Sequence, residues 1–329
     1  MKKLYKSQKH RRRNNRRSRR AVKRKNERRC KRRVAIRSGA VKREIRLVAP
    51  VNFSLIDNAV EALFFFEEFT KYGRRKHPVF LDMSEIREIT PDAILYLLSL
   101  FDLLEEEHDF SQVKGNLPSH KPCRAVLLES GFLEQLKGRQ LPRLRGRNIL
   151  SIETGSQVRG DVAAKVISFA QSRLGRRATG QTSSVYKTII ECMANTTNHA
   201  YKDEAQGTWR LVASYDKEQN RVRFAFLDNG RGIPHTIRKN FHERLQTLFQ
   251  YPPDDGKLIR SAIRGDFRTR TRKIWRGRGL PAIYSYCKKG EIADLVIVSN
   301  NAFVKSATDT DVLLKRKFHG TLLCWDFLR

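Results

Sequence analysis

Glu191, Asn195 and His199 stand four residues apart in the stretch Glu191-Cys192-Met193-Ala194-Asn195-Thr196-Thr197-Asn198-His199. On an α-helix residues three and four apart share a face, so the three side chains would line one stripe. A carboxylate there could serve as a base, a carboxamide oxygen as a ligand for a hard cation, and an imidazole as a donor to an anion. The exposed polar face of an ordinary helix has the same spacing, and this stretch alone does not separate the two.

Two glycine clusters lie downstream. Asp228-Asn229-Gly230-Arg231-Gly232 closes a β-strand pattern. Its glycines would let the backbone turn tightly against a flat ligand, while Asp228 could accept a hydrogen bond from an exocyclic amine. Gly277-Arg278-Gly279-Leu280 opens an apolar helix pattern running to about Cys287. A glycine-rich turn feeding a helix N-terminus offers free N–H groups and the positive end of the dipole to phosphate.

The elements that must hold these residues follow from periodicity. Val185, Ile189, Ile190, Met193 and Ala194 place the polar stripe on an amphipathic helix over about 182–201. An earlier helix, capped by Asp161, carries Val162, Val166, Ile167, Phe169 and Ala170. Alternating strands are expected at 208–215, 221–227, 292–299, 311–317 and 320–327. Between the glycine clusters, 235–276 is rich in cations, including Arg260, Arg264, Arg268, Arg270, Arg272 and Lys273.

Upstream, strand and helix patterns alternate: a strand at 44–49, a helix at 55–72 and a strand at 78–82. A helix from Pro91 to Leu104, a weak strand at 112–117 and a helix after Pro122 reaching Leu136 follow. That order predicts a small α/β domain at 44–138. Residues 139–159, with their Arg, Gly and Pro content, read as a linker to a second α/β domain at 160–329.

The formal net charge of +33 over 329 residues is concentrated at the start, with Arg11-Arg12-Arg13, Arg16-Arg17, Arg19-Arg20 and Lys31-Arg32-Arg33. Apolar residues there are too sparse to form a core, so 1–43 is expected as a disordered basic arm. Its expected partners are polyanions, nucleic acid or the ribosome foremost, through residues 1–46. An anionic membrane surface and a solubilising or localising tail are the competing readings. Tyr5 is the one aromatic in the arm, so base stacking is not indicated. Ser content and amphipathic periodicity are poor for a mitochondrial transit peptide.

The 5 cysteines are scattered without a CxxC pair, which argues against zinc and fits a reducing compartment. No apolar run has the length of a membrane span, and an apolar signal core is absent, so a cytoplasmic location is expected.

The three boxes together resemble the GHKL ATP-binding domain. That superfamily contains gyrase B subunits, histidine kinases, MutL-type repair proteins and anti-sigma-factor serine kinases. Glu191 to His199 is similar to its N box, Asp228 to Gly232 to its G1 box and Gly277 to Leu280 to its G2 box. The string Glu191-x-x-x-Asn195-x-x-x-His199-Ala200-Tyr201 is most similar to the serine kinases.

The resemblance implies a layered α/β (Bergerat) sandwich over 160–329. It implies Asn195 on Mg²⁺, Asp228 on the adenine amine with Thr321 behind it, and Gly230 and Gly232 along the base. Gly277 and Gly279 would cradle the phosphates, with Arg278 and Leu280 in the same loop. Glu191 would be the general base, and His199 either a phosphate or lid contact or a structural histidine. Pro281 departs from the family by standing where many members carry glycine, and the lid region is longer and more basic than in the serine kinases.

The stretch Phe80-Leu81-Asp82 through Thr90-Pro91-Asp92-Ala93 resembles the STAS-like domains of anti-sigma-factor antagonists. Asp92 falls where that family has its phospho-acceptor serine. The resemblance to both families implies an ATP-binding regulator with Mg²⁺-dependent ATPase or protein-kinase activity, whose lid closure acts on the STAS-like domain or on a partner. The expected protein partner is a STAS-type protein or a sigma or other regulatory factor, with a homodimer also in view. The alternative is a nucleic-acid-associated protein working through its arm, with ATP as a structural or switching ligand.

Overall fold

An antiparallel five-stranded sheet with both faces buried is the centre of the computed structural model. The model describes residues 43–107, 113–137, 148–175, 180–199, 207–241, 245, 248–249, 252–267, 278–308 and 311–328. The basic arm, but for residue 43, lies outside the described residues. The chain divides into two units, residues 1–45 and 46–329. Apart from Ile45, the first residue of β1, everything that follows lies in the second unit.

It is a mixed α/β structure. The first part contains β1 (Ile45–Val48), β2 (Asn52–Phe53), α1 (Ala59–Arg74), β3 (Val79–Asp82), β4 (Glu88–Ile89), α2 (Pro91–Glu107), β5 (Val113–Gly115), α3 (Lys121–Glu129) and α4 (Phe132–Lys137). β1, β3 and β5 form a three-stranded sheet in the order β1-β3-β5, and β2 pairs in parallel with β4. The expected single helix after Pro122 is two, because Gly131 at φ +78° takes the chain out of helical conformation between α3 and α4.

Next come β6 (Glu153–Gly155), α5 (Gly160–Leu174), α6 (Gly180–His199), β7 (Trp209–Asp216), β8 (Arg221–Asp228), α7 (Ile233–Asn240), α8 (Asp255–Arg264), α9 (Gly279–Lys288), β9 (Ala293–Lys305) and β10 (Asp311–Leu328). The large sheet has the order β6-β7-β8-β10-β9.

Three expectations are corrected here. Part of the stretch read as a linker belongs to this sheet: Ile149 bridges to Ser214, and β6 pairs with Trp209–Leu211 on β7. Gly155 is required there, since a Cβ would lie 2.5 Å from the Trp209 ring. The two strands expected at 311–317 and 320–327 are one, β10, with register shifts on either side of Phe318. Asp161 does not cap α5. The N-cap is Arg159, and Asp161 sits in the first turn, ion-paired to Arg159.

Alternation along the strands explains both buried faces. On β8, Val222, Phe224 and Phe226 join one apolar cluster with α5 and α6, through Val162, Val166, Val185 and Ile189. Ala225 and Leu227, one residue out of phase, join the other, as do Leu322, Cys324, Val296 and Val298 on β10 and β9.

That second cluster is completed by α2, whose residues 91–100 are all buried. A helix apolar all round must be covered on all sides, and α2 meets this by packing on β7 and β8 as well as against α1 and α4. Arg210 on β7 ion-pairs with Asp102 of α2, and Arg316 on β10 with Glu67 of α1. The expected domains at 44–138 and 160–329 thus share one core.

Candidate functional site

Gly279, the first residue of α9, lies against Glu191 and Asn195 of α6. A Cβ on Gly279 would be 2.7 Å from Glu191 Oε2 and 3.2 Å from both Asn195 Oδ1 and Nδ2. Helical spacing puts the carboxylate and the carboxamide on one face of α6, and the missing side chain lets the α9 N-terminus approach them. The first N–H groups of a helix have no intrahelical partner, so this contact sets helix N-terminal donors beside a carboxylate and an amide. Pro281 falls in the same first turn, where an absent N–H costs no helical hydrogen bond. Burial raises the Glu191 pKa above its ordinary value, which moves a carboxylate toward the range of a useful base.

Asp228 ends β8 and is buried. Its neighbours across the sheet are Trp209 on β7 and Thr321 on β10. Oδ1 accepts the Gly230 N–H at 2.8 Å, and among the described residues the carboxyl has no other hydrogen bond or ion pair. Burial pushes its pKa up to about 7, only partly opposed by the Gly230 N–H. A carboxyl placed so calls for a donor from outside the fold. Burial likewise raises the pKa of the Cys192 thiol on α6, and the negative charges of Asp228 and Glu191 add to that shift.

The turn after Asp228 is glycine-dependent. Gly232 sits at φ +88°, and a Cβ there would lie 2.0 Å from Asn300 Oδ1 and 2.8 Å from Ser299 Oγ. Gly232 is the N-cap residue of α7, whose first N–H, Ile233, donates to Ser299 Oγ at 3.0 Å. Thr321 is 5% exposed, and its hydroxyl lies 3.2 Å from Ser299 Oγ. Ser299 Oγ also donates to the Gly320 carbonyl at 3.1 Å. The residue behind the Asp228 strand end is therefore the pair Ser299–Thr321. Sequence reasoning missed Ser299, which sits inside a continuous strand pattern with no local mark.

Of the remaining expected residues, Arg278 is exposed as the N-cap residue of α9, and Leu280 packs against the α5–α6 side of the core. His199 is the last residue of α6; its side chain and Gly277 lie outside the described residues, as do Arg268, Arg270, Arg272 and Lys273. Arg260, counted among the cations of the 235–276 stretch, is buried and ties α8 to the β9–β10 turn through Asp311 and the Lys305 carbonyl at 3.0 Å.

Asp92 is 0% exposed and accepts the Leu55 N–H at 2.7 Å, and burial raises its pKa. A side chain so enclosed is not open to a modifying enzyme. Asp82, at the end of β3, is a clasp, receiving Asn116 Nδ2 and Ser84 Oγ, each at 2.7 Å, and paired with Arg46.

Among the described residues no group of three or more His, Cys, Asp or Glu could hold a metal, and no helix is long and apolar enough to cross a membrane. Models of known protein families and curated protein sequences return no match to this chain.

Proposed function

We propose that residues 148–328 bind ATP with Mg²⁺ in the manner of a GHKL domain, and that the chain is an ATP-dependent regulator with ATPase or protein-kinase activity. The observation that carries the reading is the approach of Gly279 to Glu191 and Asn195. That contact joins residues of two sequence boxes far apart in the chain, and the buried Asp228 of the third, held by the Gly230 N–H, supports the same reading.

In this reading Asp228, ionised, accepts the adenine amine, and the Ser299–Thr321 pair holds the strand end behind it. The N-terminus of α9 receives the phosphates, and Asn195 offers its carboxamide oxygen to Mg²⁺, which supplies charge neutralisation at the phosphates when bound. Glu191 accepts the proton of the attacking hydroxyl, whether of water or of a protein side chain. Its closeness to the α9 N-terminus supports that role.

The test uses γ-labelled ATP and Mg²⁺ with the parent and Glu191→Gln side by side. Free phosphate from the parent alone marks an ATPase. Label kept on protein marks a kinase. Absence of ATP binding by the folded parent would sink the proposal.

The density of Lys and Arg before residue 46 favours a second activity, polyanion binding through the arm. It is separable from the first, because no site residue lies in the arm.

A further inference from the structure

We propose that Tyr96, on α2 of the first α/β part, is a positioning residue for the proposed base site at Asp228. It would act by holding the β10 bulge that sets Thr321 against Asp228. The proposal rests on the nucleotide reading of Asp228.

Tyr96 is 2% exposed, and its ring stacks on Phe318 with centroids 4.1 Å apart and planes 16° from parallel. Its hydroxyl accepts the backbone N–H of the next residue, His319, at 3.1 Å. Phe318 and His319 stand where β10 loses register with β9, between Leu313 and Thr321. At a bulge a backbone N–H drops out of the ladder, the strand twists more, and the following side chains are re-aimed. Tyr96 supplies that N–H with a partner and clamps the adjoining ring.

The next residue is Gly320 at φ +89°, packed so closely on β8 that a Cβ would be 2.0 Å from the Asp228 carbonyl oxygen. Thr321 follows, opposite Asp228 in register. Four consecutive residues therefore run from the Tyr96 contact to the Asp228 strand end with no flexible link between. The Gly320 carbonyl is held on the far side by Ser299 Oγ, so the bulge is gripped from both sheet neighbours and from α2. A nucleotide domain needs no residue from a preceding domain to form a strand end, yet here one reaches through the sheet's second face to its backbone.

Tyr96→Phe keeps the stack and removes the hydroxyl. One net hydrogen bond corresponds to a local loosening of about five-fold. Amide exchange should quicken by roughly that factor over 318–322 in nucleotide-free protein, with distant amides unchanged. ATP affinity should fall by a similar, about five-fold, factor, while affinity for inorganic tripolyphosphate, which lacks the base, stays as in the parent.

Unchanged exchange over 318–322 in Tyr96→Phe would overturn the proposal, as would quickened exchange with ATP affinity equal to the parent's. Parallel losses of ATP and tripolyphosphate would overturn it too, since general destabilisation does not choose the base end. A parent that binds no ATP defeats the nucleotide reading and the role of Tyr96 at a base site together. The exchange data would then still report whether Tyr96 holds the bulge.

Discussion

Replacing Asp228 by Asn tests the chemistry of this buried carboxyl and its cost at once. Burial raises the Asp228 pKa to about 7 from an ordinary 3.8. Between about pH 4 and pH 7 the folded protein keeps a proton that the unfolded chain has released. The unfolded state then binds fewer protons, so stability falls as pH rises through this window. A shift of about 3 units at ~1.4 kcal/mol each puts the full penalty near 4 kcal/mol, felt above pH 7 and absent below pH 4.

Asn at 228 retains an oxygen for the Gly230 N–H and carries no charge. Its advantage over the parent should therefore grow by about 2–3 kcal/mol between pH 5 and pH 8, part of the penalty being already present at pH 5. Urea unfolding followed by the fluorescence of the buried Trp209 and Trp325 measures this. In the same samples ATP binding should be lost, and the parent's ATP affinity should drop about ten-fold per pH unit below 7 as the acceptor is protonated. An Asn variant that is no more favoured at pH 8 than at pH 5 would refute the burial argument. A folded Asn variant with parental ATP affinity would refute the assignment of the base site.

Glu191→Gln keeps the size and removes the base, so turnover of ATP should fall by a factor of order 10² or more with affinity little changed, read from steady-state and binding assays. Gly279→Ala pushes a methyl onto Glu191 Oε2 and Asn195; nucleotide affinity should suffer well before thermal stability does. Gly320→Ala meets both a left-handed backbone and the Asp228 carbonyl oxygen, and calorimetry should show a loss of about 2 kcal/mol or more. Deleting residues 1–42 should abolish salt-dependent binding to a random-sequence nucleic acid and leave ATP affinity as it was.

The helix carrying Glu191 and Asn195, the strand ending in Asp228 and the start of the α9 helix were all legible in the sequence, because each has a local cause. Periodicity of 3.6 or 2 and glycines at turns are properties of neighbours in the chain. Ser299 and Tyr96 were not legible, since each matters through residues far away in sequence. Tyr96 reads as one more core position in a helix buried on all sides, and its contacts with Phe318 and His319 exist only once α2 lies on the sheet. The pairing of part of the 139–159 stretch with the large sheet was missed for the same reason. Arg, Gly and Pro mark 139–159 as a connection, but Ile149, Ile152 and Gly155 are set by what the Trp209 strand needs beside it.

That shared core limits how a ligand at Asp228 could act on the first α/β part. Parting α1 and α2 from the sheet would divide this cluster, with Val212, Ala225, Leu227, Phe318 and Leu322 on one side and Leu95, Tyr96, Leu97 and Leu98 on the other. At about 1.5–3 kcal/mol for each large side chain, separation costs well over 10 kcal/mol. A ligand moves an equilibrium only by its differential affinity, and a swing from 1:99 to 99:1 already takes about 5.5 kcal/mol. Nucleotide-driven release of the first part as a rigid body is therefore disfavoured, and a local change at the β10 bulge is the cheaper route. The same arithmetic predicts how the protein unfolds. Leu97→Ala, at a fully buried position of α2, should lower stability by about 3 kcal/mol and shift one transition common to both halves. Two separate transitions, with only the first moved, would mean that the halves are independent and that Tyr96 has no purchase on Asp228.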